Sequence, residues 1–207
     1  MSPTHGPDPS ADTRGADYTE RLQRLGGARW KQTLDVQAPY RWNIRRLDLG
    51  RTLEVGCGIG RILAALDDGV GVDHNADSIA AARASGYRAW TTEEWPDCSD
   101  AKPGSYDTML LAHVLEHLDQ DEADEVVRSY LEYLKPTARL VFICPQEKGY
   151  STDATHVRFV DTNDMVATAG RLGFRAEKAY SFPFPRAAGK VFPYNEFVVV
   201  AARAGQP

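Results

Sequence analysis

The chain has 207 residues, 43% of them hydrophobic and 26% charged, which argues for one folded α/β domain and excludes a disordered or membrane-embedded bulk. A net charge of -5 at pH 7 gives no general attraction to a polyanion, so nucleic acid is not an expected partner. No apolar run approaches the ~20 residues of a membrane span, the first residues lack the cationic and apolar start of a secretory signal, and Cys57, Cys98 and Cys144 are too scattered for a disulfide framework or zinc knuckle. Cytoplasmic residence is therefore expected, with monomer and homodimer both open.

Residues 1–15 are rich in Pro, Gly, Ser and Asp and read as a flexible tail. A helical cap is expected over 16–48. Tyr18, Leu22 and Leu25 recur at helical spacing, as do Trp30 and Leu34, with Gly26-Gly27 splitting the segment. Pro39 then opens a helix toward Leu47 that carries Tyr40, Trp42 and Ile44, with Arg41, Arg45 and Arg46 on its solvated face. Beyond it, strands are expected over 52–55, 69–73, 87–91, 106–112, 139–144, 174–182 and 196–202, and helices over 61–66, 76–85, 121–134 and 162–172. Gly86, Pro136 and Gly173 stand where helices should stop. This alternation is the signature of a Rossmann-like, doubly wound seven-stranded sheet, mostly parallel. The last two strands are joined by an aromatic, proline-rich connection over 182–194, which implies an antiparallel C-terminal hairpin.

Leu53-Glu54-Val55-Gly56-Cys57-Gly58-Ile59-Gly60 reads as an apolar strand opening into a loop with glycines at alternate positions and then a helix. Such glycines let the backbone turn sharply and approach a ligand where a Cβ would clash, while a helix N-terminus offers unpaired N–H groups. The dinucleotide fingerprint places its last glycine five positions after the first; here that position is Arg61. Glu54, two residues before the first glycine, sets a carboxylate at the ligand end of the strand. It would repel a pyrophosphate and attract the methionine ammonium of S-adenosylmethionine (SAM). The second strand ends in Val72-Asp73-His74, where Asp73 can accept hydrogen bonds from both hydroxyls of a ribose, as either cofactor requires.

The glycine motif, Val72-Asp73-His74-Asn75, Ser105-Tyr106-Asp107 leading into His113-Val114-Leu115-Glu116-His117-Leu118, and Leu134-Lys135-Pro136 before a strand follow one another in a familiar order. Over residues 50–145 the chain resembles a class I SAM-dependent methyltransferase, in the broad group that includes the ubiquinone and menaquinone biosynthesis methyltransferases. The resemblance implies a methyltransferase domain over 49–205, SAM as cofactor and S-adenosylhomocysteine as product. It also implies Glu54, Gly56 and Gly58 along the methionine side with Cys57 between them, Asp73 at the ribose, and His74 beside the ribose or adenine. Many relatives carry an aspartate ahead of the Leu-Pro that follows the third strand; Thr91 stands there, so the Thr92 backbone or Glu93 is expected at the adenine. Leu111 and His113 match positions near the methionine part and the acceptor.

Methyl transfer from a sulfonium is an in-line displacement at an activated carbon, so the protein mainly positions the acceptor and excludes water. No metal is expected; among the histidines only His113 and His117 have pair spacing, and they fall at a strand end. A hydroxyl or protonated-amine acceptor calls for a base of near-neutral pKa. The candidates are His113, at the end of the fourth strand, and His156, in a segment that resembles a loop closing on the acceptor in related enzymes. Glu116 reads as an acid or base, or as a solvated or capping carboxylate. Tyr40, Trp42, Phe182, Phe184, Phe192 and Tyr194, with Tyr18 and Trp30, either form an apolar acceptor pocket or pack the core. The expected reaction is methyl transfer to an O or N atom of a small-molecule, biosynthetic acceptor. Transfer to RNA or protein, or NAD-dependent oxidoreduction, are the alternatives.

Overall fold

The computed structural model describes residues 38–205. The tail expected over 1–15 and most of the cap expected over 16–48, with Tyr18, Leu22, Leu25, Trp30 and Leu34, lie outside the described residues.

Among the described residues a helix α1 (Ala38–Arg46) leads into β1 (Arg51–Val55), β2 (Asp68–Asp73), α2 (Ala76–Ala84), β3 (Ala89–Thr91) and β4 (Tyr106–Ala112). There follow α3 (Gln120–Tyr130), β5 (Leu134–Pro145), the single turn α4 (Glu147–Tyr150), α5 (Thr162–Arg171), β6 (Phe174–Phe182) and β7 (Glu196–Arg203). The strands form one seven-stranded sheet in the order β3-β2-β1-β4-β5-β7-β6. β1 to β5 pair in parallel, and β7 runs antiparallel to both β5 and β6, so the expected parallel sheet with an antiparallel C-terminal hairpin is what forms.

Alternation along the buried strands divides the core between the two faces of the sheet. Met109 and Leu111 of β4 join Leu53, Val55, Leu140 and Phe142 beneath Ala123 and Val127 of α3 and Met165 and Ala169 of α5. Leu110 and Ala112 point the other way, with Val141, Ile143 and Val198 beneath Ile44 of α1. Side-chain caps start the helices: Asn75 accepts from the Ser78 amide, and Asp119 with Glu122 and Asp161 with Asp164 form reciprocal capping boxes.

Two expectations need correction. The helix expected over 61–66 is only a 3-10 turn, Leu63–Ala65. Positive φ at Gly56, Gly58 and Gly60 consumes the chain up to residue 60, and β2 already begins at Asp68. What remains is too short to repay helix nucleation. The fifth strand begins at Leu134 rather than 139, because Tyr106 pairs with Leu134 before the register jumps to Thr108 with Arg139. Pro136 therefore sits in a bulge, where a missing N–H costs the ladder nothing.

Candidate active site

The sheet changes winding direction between β1 and β4, and open α/β sheets bind ligands at the C-terminal strand ends beside such a point. Glu54 lies there, 1% exposed, on the opposite face of β1 from Leu53 and Val55. Its Oε2 has no hydrogen-bond partner among the described residues. Burial, and then the charge of Asp73, push its carboxyl well above the usual carboxylate range, against a hydrogen bond from the Leu63 backbone.

The glycine loop is fastened to β2 by its own amides. Gly56 and Cys57 both donate to the Val72 carbonyl, at 2.8 and 3.1 Å. Gly58 donates to Asp73 Oδ2 at 2.8 Å, and the Asn75 amide to Asp73 Oδ1 at 2.8 Å. One carboxylate thus ties the loop to the start of α2.

Past the end of β4, His113 adopts φ +59°, uncommon for a residue with a Cβ. Its side chain is 42% exposed, with Nε2 at 2.7 Å from Glu196 Oε1 and Nδ1 at 3.3 Å from Glu116 Oε1. Burial lowers its pKa, but the charge of Glu196 and hydrogen bonds to Glu116 and Glu196 outweigh that and push it up to about 10. Glu116 is likewise burdened by burial, but pairing with His113 outweighs this and lowers its pKa; for Glu196 burial wins and the pKa rises. The Tyr40 ring stands 6.5 Å from that of His113, and its buried hydroxyl has no partner among the described residues.

On the other side of Glu116 lie His117 and His156, with ring centroids 4.8 Å apart. The Glu116 carbonyl accepts the amides of Val157 and Arg158 at 2.8 and 3.2 Å, which fixes the His156 loop beside the end of β4. A surface hollow lined by Asp48, Gly50, Asp107 and Arg139 is at the opposite, N-terminal ends of β1 and β4.

Residues 53–140, which contain Glu54, the glycine loop, Asp73, His113 and Glu116, match the family model of a methyltransferase domain. The segment that holds the site is a methyltransferase domain. No curated protein matches its sequence. The fold is shared with magnesium protoporphyrin IX methyltransferase from Synechocystis PCC 6803 with bound S-adenosylhomocysteine, at 17% identity and TM-score 0.66 over 95% of this chain and 100% of that one. A SAM-dependent methyltransferase from Archaeoglobus fulgidus is similar at 19% identity and TM-score 0.62 over 79% and 93%. A TehB-like methyltransferase from Corynebacterium glutamicum is similar at 17% identity and TM-score 0.63 over 91% and 100%.

Several of the expected site residues also make contacts within the fold. Cys57 is 5% exposed and packs with Leu63, Ile79, Ala82 and Ala89, so its thiol faces the core and its amide is spent on Val72. The Thr92 amide donates to the Asp73 carbonyl at 3.1 Å and is not free for an adenine. Leu111 is fully buried in the core. The two carboxylates beside His113 favour its protonated form, and so a cationic contact at this position. Nor does the loop open into a helix, so no helix N-terminus supplies amides there. His74 Nδ1 stands 3.6 Å from Asp73 Oδ1, and Glu93 is exposed at the same end, its pKa lowered by its own backbone amide and then by the Thr91 and Thr92 hydroxyls.

Sequence reading missed Glu196, which the pairing of Pro145 with Glu196 delivers to the end of β5. A lone carboxylate opening an otherwise apolar strand, Glu196-Phe197-Val198-Val199-Val200, was the signal for it.

Proposed function

We propose that this methyltransferase transfers the methyl group of SAM to an oxygen or nitrogen of a small-molecule acceptor in a cytoplasmic biosynthetic pathway, with 49–205 as catalytic domain and 16–48 as its cap. SAM supplies a methyl carbon already activated by a sulfonium. Glu54, Gly56 and Gly58 hold its methionine end, Asp73 its ribose, and His74 and Glu93 flank the nucleoside. The donor set suits this ligand: an orphaned, buried carboxylate such as Glu54 is costly until a cation meets it, and the SAM ammonium is one.

One observation carries the choice of acceptor. Glu116 and Glu196 are both buried at the C-terminal strand ends with the His113 imidazolium between them. Two carboxylates against one cation leave a local surplus of negative charge, which disfavours a phosphodiester backbone and favours an acceptor that donates hydrogen bonds. His113 and His156 are the residues proposed to meet that acceptor. The similar fold of a protein named for methylating magnesium protoporphyrin IX agrees with a small acceptor. No helix among the described residues is long and apolar enough to cross a membrane, in keeping with the cytoplasmic assignment.

Incubation with methyl-labelled SAM and host extract, followed by separation into low-mass, RNA and protein fractions, tests this. Label in the low-mass fraction is expected. Label retained in RNA or protein overturns the small acceptor, and absence of S-adenosylhomocysteine binding by calorimetry overturns the cofactor assignment.

A further inference from the structure

The geometry points to a divalent transition-metal site formed by Glu116, His117 and His156, which methyl transfer from a sulfonium does not itself require. One potential ligand atom from each residue lies within 4.8 Å of the other two.

Each histidine is already committed at Nδ1, which leaves Nε2 as the nitrogen available to an ion. His117 Nδ1 stands 3.2 Å from the Thr155 carbonyl and 3.3 Å from its hydroxyl, and His156 Nδ1 stands 2.8 Å from the Tyr150 carbonyl. A carbonyl only accepts, so each Nδ1 carries the proton and each Nε2 keeps its lone pair. An imidazole that gives one N–H to a carbonyl and offers its other nitrogen outward has the tautomer and the fixed ring orientation of a metal ligand. The two rings meet at 60° with centroids 4.8 Å apart, so the two side chains are neighbours.

The carboxylate is equally prepared. Glu116 is fully buried, and neither of its oxygens has a hydrogen-bond partner among the described residues. His113 approaches Oε1 at 3.3 Å from one side while Glu196 holds its far nitrogen at 2.7 Å. His113 offsets that burial at Oε1, and a cation would meet the Oε2 that is left without a partner among the described residues.

The supporting backbone is fixed as well. Beyond the Val157 and Arg158 amides on the Glu116 carbonyl, Thr155 gives its hydroxyl and amide to Asp153 Oδ1 at 2.8 and 3.0 Å, which sets the turn before His156.

Two imidazole nitrogens and one carboxylate oxygen suit Zn²⁺ and its first-row neighbours; Mg²⁺ and Ca²⁺ prefer shells of oxygen. Three protein ligands leave at least one coordination position open. His156 then meets the acceptor side of the cleft through the ion.

The test uses the full chain, stripped with a chelator and titrated with Co²⁺ by visible absorbance and with Zn²⁺ by competition. One ion per chain is expected. His156→Ala and Glu116→Gln should each weaken Co²⁺ binding by at least about 100-fold, the upper end of what losing an outer-shell partner costs. Circular dichroism in chelator and S-adenosylhomocysteine binding, measured on the same variants, should be retained. These readouts separate loss of the metal site from unfolding and from failure of the methyl-transfer reading. If Glu116→Gln does not fold, His156→Ala, in a part-exposed loop, decides alone. The absence of stoichiometric Co²⁺ binding to the native chain, or unchanged affinity in His156→Ala, overturns the site.

Discussion

His113 Nε2 lies 2.7 Å from Glu196 Oε1, a contact between residues 83 positions apart. The end of β4 and the start of β7 meet because each pairs with β5, Ala112 with Ile143 and Glu196 with Pro145. Glu196→Gln keeps the shape and removes the charge from this half-buried pair. Expected is a loss of about 1.5 kcal/mol in urea unfolding, the low end of the range for hydrogen bonds to charged groups because solvent screens the part-exposed imidazole.

Asp73 receives the Gly58 and Asn75 amides, so it shapes the loop before any ligand arrives. Asp73→Ala should cost about 1 to 3 kcal/mol for each stranded amide and weaken S-adenosylhomocysteine binding at least about tenfold. Asp73→Asn, which keeps one acceptor oxygen, should lose less. Calorimetry and thermal melts on the two variants check the order.

For Glu54 stability and affinity should move in opposite directions. Its carboxylate is buried with an orphaned oxygen, and burial holds its pKa high. Glu54→Gln should therefore leave the ligand-free protein as stable or more stable, while S-adenosylhomocysteine affinity falls about 10- to 100-fold, the equivalent of one charged hydrogen bond. A variant that lost stability and kept affinity would contradict the role assigned to this residue.

A Cβ at Gly56 would lie 2.3 Å from Val114 Cγ2, at φ +79°. Gly56→Ala should cost about 2 to 6 kcal/mol, about 1 to 3 from backbone strain and about 1 to 3 from overpacking. Adding Val114→Ala removes the clash and not the strain, so the double variant should recover part of the loss beyond additivity, measurable in a double-mutant cycle.

Asp124 and Arg171 join α3 to α5 through two parallel bonds of 2.7 and 2.9 Å. The hydrogen bond from Arg171 outweighs burial and lowers the Asp124 pKa. A depressed folded-state pKa gives stability that is present above the unfolded value of about 3.9 and is lost as pH falls through the folded value. Asp124→Asn should therefore be less stable than the native chain by a constant amount above about pH 5, with the gap closing on acidification below about pH 4. Urea unfolding midpoints across this range give the measurement.

Local chemistry set the expectations that held. The apolar run ending at Val55 before alternate glycines and the helix-free connection over 182–194 each depend on neighbours in the chain, and each is read where it occurs. The helix expected over 61–66 failed because its periodicity takes no account of where β2 must begin.

What the sequence by itself determined was the parallel sheet, its closing hairpin and the cofactor class, since hydrophobic period and glycine spacing are local properties of the chain. Only tertiary structure decided that Glu196 charges His113, that Cys57 and Leu111 face inward, and that His117 and His156 share Glu116. A pKa or a ligand set depends on which distant groups the sheet register brings within a few ångströms, and no local pattern encodes that distance.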